Sequence, residues 1–144
     1  MQKITPFLWF DNQAEEAVRF YCAIFPNAKI GSLSPFVSTF ELEGLQFTAL
    51  NGGPRFRFSE AISLYVNCET QDEVDRYWEK LSEGGEVQQC GWLKDRFGVS
   101  WQVIPSALPR LMSDPDRDKA SRVMQAMMGM QKIDIAGLER AYAG

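Results

Sequence analysis

At 144 residues, 45% hydrophobic and 12% aromatic, the chain holds enough apolar material for one compact domain with a real core. A formal net charge of −4 argues against general affinity for nucleic acid or anionic membrane, and no apolar run reaches the length of a bilayer span. Histidine is absent, which removes Ser-His and Cys-His catalysis and every histidine-containing metal site, so acid–base work would fall to carboxylate, Lys, Tyr or Cys side chains.

In chain order, residues 3–10 read as a strand, with Pro6 at an edge or an irregular start. Asp11 or Asn12 can cap the helix that follows, and Glu15 and Glu16 in its first turn suit the helix dipole. Ala14, Ala17, Val18, Tyr21, Ile24 and Phe25 recur at helical spacing, and Pro26-Asn27 ends the helix. A strand is expected within 28–34. Phe40 to Leu42, a Glu43-Gly44 turn and Leu45 to Leu50 read as a tight hairpin. Asn51-Gly52-Gly53-Pro54 breaks regular structure, and 54–60 is an Arg- and Phe-rich loop.

A second unit then begins. Ala61 to Cys68 alternates as a strand, with Ile62, Leu64 and Val66 on one face and Ser63, Tyr65 and Asn67 on the other. Thr70 with Glu73 has capping-box spacing, Val74, Tyr77, Trp78 and Leu81 form the helix stripe, and Gly84-Gly85 stops it. Strands are expected near 86–94 and 99–104, around a turn at Asp95 to Gly98. Beyond Pro105, Asp114-Pro115 would open a helix with an Ala120, Val123, Met124, Met127, Met128 stripe. Asp134 would cap a last one carrying Ile135, Leu138 and Tyr142. A faint repeat underlies this order: Glu16-Ala17-Val18-Arg19-Phe20-Tyr21 reads again as Glu73-Val74-Asp75-Arg76-Tyr77-Trp78. The expected class is therefore α+β, two βαβββ modules at 1–58 and 59–105 in one domain over 1–144, with a helical extension at 106–144. Cys22, Cys68 and Cys90 are odd in number and far apart, and read as free thiols. No signal-peptide pattern follows Met1, so the expected location is the cytoplasm.

Several strings carry a family likeness: Pro6-Phe7-Leu8-Trp9-Phe10-Asp11 with Ala14-Glu15-Glu16-Ala17 and Phe20-Tyr21; Ala49-Leu50-Asn51-Gly52-Gly53-Pro54; Trp78-Glu79-Lys80-Leu81; and, most specifically, Cys90-Gly91-Trp92-Leu93-Lys94-Asp95-Arg96-Phe97-Gly98-Val99-Ser100-Trp101-Gln102. With the doubled βαβββ order they resemble the glyoxalase, or vicinal oxygen chelate, superfamily. Within it they look most like the PhnB-like branch, often labelled 3-demethylubiquinone-9 3-methyltransferase. The resemblance implies two curled sheets forming a cup, a homodimer and, in metal-dependent relatives, four His, Gln or Glu side chains around a divalent ion. Carried onto this chain, those positions fall on Thr5 or Pro6, near Ala49 to Asn51, on Ala61 or Ser63, and on Gln102. Neutral oxygen donors hold divalent ions poorly, so no tightly bound metal is expected, and a divalent metal is the alternative.

The expected function is binding of a small apolar or aromatic molecule in a metal-free cup. Its candidate ligand-binding residues are Trp9, Asn51, Ser63, Tyr65, Trp92, Trp101 and Gln102. Trp9, Trp92 and Trp101 would line an aromatic pocket or belong to ordinary core packing. Gln102 would orient the ligand or be a satisfied amide. Glu41, alternating with Phe40 and Leu42, is a possible acid/base group or an exposed strand charge. Arg55 and Arg57 read as solvated loop residues, and Cys90 as an inert thiol. The alternative is an enzyme of this superfamily, metal-assisted or using Glu41 or Tyr65 in acid–base roles. Methyl transfer is disfavoured because the glycine-rich first loop of a doubly wound adenosyl-cofactor site is missing.

Overall fold

A computed structural model describes residues 2–144. It forms two compact units, one running to Ser59 and the other from Glu60 to Gly144.

The first unit holds β1 (Phe7–Phe10), α1 (Ala14–Ile24), β2 (Ala28–Ile30), β3 (Val37–Leu42) and β4 (Leu45–Asn51). The sheet order is β1-β4-β3-β2, with β1 parallel to β4 and the other pairs antiparallel. The hairpin forms as read: Leu42 pairs with Leu45, and Glu43 and Gly44 take the positive φ values, 49° and 86°, that a two-residue turn needs. Ala14, Ala17, Val18, Tyr21 and Ile24 are buried on the sheet side of α1, where Phe40 stacks between Tyr21 and Phe47.

Two expectations here need correction. The strand is shorter than 3–10: Phe7 begins it, and Pro6, which has no N–H to give, contributes only its carbonyl, which accepts from Thr48 N. Asp11 and Asn12 do not cap α1. Gln13 stands at the N-cap without a side-chain cap, and the capping oxygen comes from Asn51 Oδ1, which accepts from Ala14 N at 2.8 Å.

The second unit repeats the plan with β5 (Leu64–Cys68), α2 (Gln71–Ser82), β6 (Glu86–Val87), β7 (Trp92–Lys94) and β8 (Ser100–Pro105). Its sheet order is β5-β8-β7-β6, with β5 parallel to β8. Thr70 caps α2 by accepting from Glu73 N, and Val74, Tyr77 and Leu81 are its buried stripe, with Trp78 half-buried. The strand expected over 61–68 starts only at Leu64. The one expected over 86–94 is broken into β6 and β7, because Gln88 to Gly91 turn away. Cys90 and Gly91 take φ values of 61° and 82°, and their amides donate to Met130 O and Gln131 O.

The tail packs inside the second unit as α3 (Ala107–Met112), α4 (Arg117–Met128) and α5 (Ile135–Ala143). Ile104 from β8 joins Leu108, Val123, Ile133 and Leu138 in one buried cluster, each such side chain stabilising by about 1.5–3 kcal/mol. The α4 cap is Asp116, not Asp114: Asp116 Oδ1 accepts from Asp118 N and Lys119 N, while Asp114 receives Asp116 N and the Tyr142 hydroxyl. Only part of the expected methionine stripe is inward, since Met124 and Met128 are exposed. No helix among the described residues is long and apolar enough to cross a membrane.

Candidate functional site

The two faces of the second sheet do different work. Alternation along β8 turns Trp101 and Val103 toward α2, where both are buried with Leu93. It turns Gln102 and Ile104 to the opposite face. In register, Tyr65 stands opposite Gln102, and Gln102 opposite Trp92. An aromatic ring, an amide and a second aromatic ring thus form one row across β5, β8 and β7.

Over this row lies a cleft of about 510 Å³, with Tyr65, Trp92 and Gln102 on the sheet side and Leu108, Met112 and Met127 on the tail side. Cys90 also reaches it, from the loop between β6 and β7. Gln102 Nε2 donates to Ser63 Oγ at 3.0 Å, which fixes the amide at the floor. The Tyr65 phenol is pushed up from its usual range, first by burial and then by the neighbouring Cys68, which further favours the neutral form, able to donate a hydrogen bond. Cys68 itself is raised from 9.0 to about 12, chiefly by burial and further by Glu73 and Glu69. Burial likewise raises Cys22.

Of the residues singled out in the sequence, Ser63, Tyr65, Trp92 and Gln102 come together. Trp101 does not join them. It is buried on the other face, where its indole Nε1 donates to Asp95 Oδ2 at 2.9 Å, and the expectation that it lines the pocket is corrected. Trp9, Asn51 and Glu41 belong to the first unit. The Trp9 indole donates to Gly53 O and lies against Gly52, where a Cβ would collide with it. Asn51 uses both ends of its amide, accepting from Ala14 N and donating to Pro35 O, so its amide is engaged in holding the backbone. Glu41 Oε1 accepts from Gln46 Nε2 at 2.9 Å, on the sheet face turned away from α1.

The α3 part of the tail-side wall was not foreseen. Helix α3 is masked in the sequence by Pro109, which reads as a breaker but sits in the first turn, where a missing N–H costs no helical bond. The hint was Leu108, Leu111 and Met112 at helical spacing.

Ser63 and Gln102, two of the positions onto which the resemblance would carry metal ligands, do not suit a divalent ion. Both are neutral and bonded to each other, and among the described residues no three His, Cys, Asp or Glu side chains gather at one point.

Comparison with known proteins adds to this geometry. The family profile described as 3-demethylubiquinone-9 3-methyltransferase matches residues 2–104. The solved PhnB protein of Bacillus cereus is similar at 36% identity, with 73% of this chain and 100% of that chain covered and a TM-score of 0.69. A Pseudomonas aeruginosa protein shares the fold at 22% identity, covering 73% of this chain and 98% of that one, TM-score 0.63. The fosfomycin resistance protein FosX of Mesorhizobium loti shares it at 14% identity, covering 70% and 89%, TM-score 0.52. No curated protein matches the chain.

Proposed function

Since this chain belongs to the PhnB-like family described as 3-demethylubiquinone-9 3-methyltransferase, we propose that it binds a small apolar or aromatic molecule in the cleft of its second unit, without a metal. The observation that carries this reading is the Tyr65–Gln102–Trp92 row beneath a largely apolar cleft. Ligand sites have this make-up: mostly apolar walls, volumes of about 300–1,000 Å³, and a few placed polar groups. The family's label is not carried over to an activity. A doubly wound methyltransferase needs a continuous parallel sheet and a glycine-rich phosphate loop, whereas each sheet here has a single parallel pair.

A library of neutral aromatic fragments tests the proposal by thermal shift. The expected outcome is a saturable rise in Tm for some members, lost in Trp92→Ala while the unliganded variant still unfolds cooperatively. Hits indifferent to Trp92→Ala would remove the cleft as the site.

A second reading is an enzyme in which Tyr65, already in the cleft, donates a proton. Elemental analysis of protein purified without chelator bears on its metal-assisted form, which would require a near-stoichiometric ion sensitive to chelator. A homodimer is also proposed. Exposed Phe7, Phe36 and Phe56 support it, and sedimentation at equilibrium reads it directly.

A further inference from the structure

We infer that the ligand of this cleft is an uncharged planar aromatic molecule carrying a hydrogen-bond donor, which Gln102 reads between the rings of Tyr65 and Trp92. The inference rests on the cleft being the binding site, and deepens that reading by naming the ligand's chemical class.

Charge comes first. The lining side chains are aliphatic, aromatic, thioether, thiol, hydroxyl and amide groups, and none is Asp, Glu, Lys or Arg. The surroundings of the one phenol among them further favour its neutral form. An ion seated against these side chains would give up part of its hydration with no opposite charge in the lining to replace it. A neutral molecule meets no such cost.

Shape follows from the sheet. Neighbouring strands lie about 4.8 Å apart, so Tyr65 and Trp92, each one strand from Gln102, rise roughly 9.6 Å apart on either side of it. Aromatic faces approach one another at about 3.5–4 Å, so the gap admits one planar ring standing over the Gln102 amide. Met112 and Met127 form the opposite wall, and unbranched thioethers adapt to the edge of such a ring.

The hydrogen bond is selected by what Ser63 leaves free. Gln102 Nε2 already donates to Ser63 Oγ. The carbonyl Oε1 accepts from no donor among the described residues and stays open to the cleft, so it is available to a ligand. A ligand N–H or O–H satisfies it, and an otherwise identical ligand without the donor does not.

The test uses the intact protein and three probes with the same ring system: 2-naphthol (neutral, donor), 2-methoxynaphthalene (neutral, no donor) and 2-naphthoate (anion). Each competes at neutral pH against the uncharged dye Nile red. The expected result is that 2-naphthol displaces the dye at concentrations about tenfold lower than either other probe. In Gln102→Leu the gap between the two neutral probes should shrink to about threefold or less, with 2-methoxynaphthalene still binding. The wild-type comparison stands even if that variant fails to fold. Equal or tighter binding of 2-naphthoate would overturn the inference, as would a naphthol preference that survives Gln102→Leu. Failure of all three probes while Nile red binds and Trp92→Ala releases it would overturn the ligand class but keep the cleft. Nile red binding untouched by Trp92→Ala, or no Nile red binding at all, would overturn both.

Discussion

Asp95 explains why Trp101 is a core residue. Its side chain is 3% exposed. Oδ1 accepts from Phe97 N and Val99 N, and Oδ2 accepts from the Trp101 indole. One carboxylate thus closes the turn between β7 and β8 and pins the indole beneath the sheet. Replacing Asp95 with Ala leaves buried donors unmatched, and urea denaturation should show a loss of about 2–4 kcal/mol. Ser100 is the reverse case. Its hydroxyl is buried and, among the described residues, is the buried side-chain polar atom without a partner. Ser100→Ala removes a desolvated group that gains nothing in return, so the same measurement should show unchanged or higher stability, by up to about 1 kcal/mol. A clear loss would mean that Ser100 has a partner in solution, such as a bound water.

At the scale of elements, the tail is fastened by contacts that depend on ionisation. The Tyr142 hydroxyl donates to Asp114 Oδ2 at 2.6 Å. This hydrogen bond lowers the pKa of Asp114 and raises that of Tyr142. For Asp114 the stabilisation is present above its unfolded pKa and is lost as pH falls through the folded one. For Tyr142 it is present below its unfolded pKa and is lost as pH rises through the folded one. Protection of the α5 amides, taken as the intrinsic exchange rate at each pH divided by the observed one, should therefore be greatest between those limits, and Tyr142→Phe should flatten the profile. Elements with local signals were legible in the sequence: the Glu43-Gly44 hairpin, the Thr70 cap and the apolar stripes of α1 and α2. What escaped was set by distant partners. Asn51 caps α1 from the end of β4, the Gln88–Gly91 break is held by the backbone of Met130 and Gln131, and α3 is concealed by a proline in its first turn. The candidate site divides the same way. Period-two alternation placed Ser63 and Tyr65 on one face, and the family resemblance pointed to Gln102; the register that sets Tyr65 and Trp92 on either side of it is a property of the folded sheet. The tail-side wall needed the tertiary packing of α3 and α4.

Across the whole molecule, the three cysteines should behave unequally. Cys68 is fully buried and its thiol is raised to about 12, while Cys22 and Cys90 are half-buried. Titration of the native protein with a thiol reagent should leave Cys68 unmodified until denaturant is added. Because the folded state keeps a proton that the unfolded chain releases near pH 9, stability should decline as pH climbs from about 9 toward 12. Trypsin should cut first at Arg55 or Arg57, which are exposed in the loop before Ser59. The remote caps also bear on the order in which the protein is assembled during synthesis. Helix α1 is only 11 residues long, too short to persist unaided, and its capping amide belongs to a residue translated after two intervening strands. It must wait for β4. The last helix is in the opposite position. Gln71 Oε1 accepts from Ile135 N at 2.8 Å, so the cap for α5 is already in place when that segment leaves the ribosome.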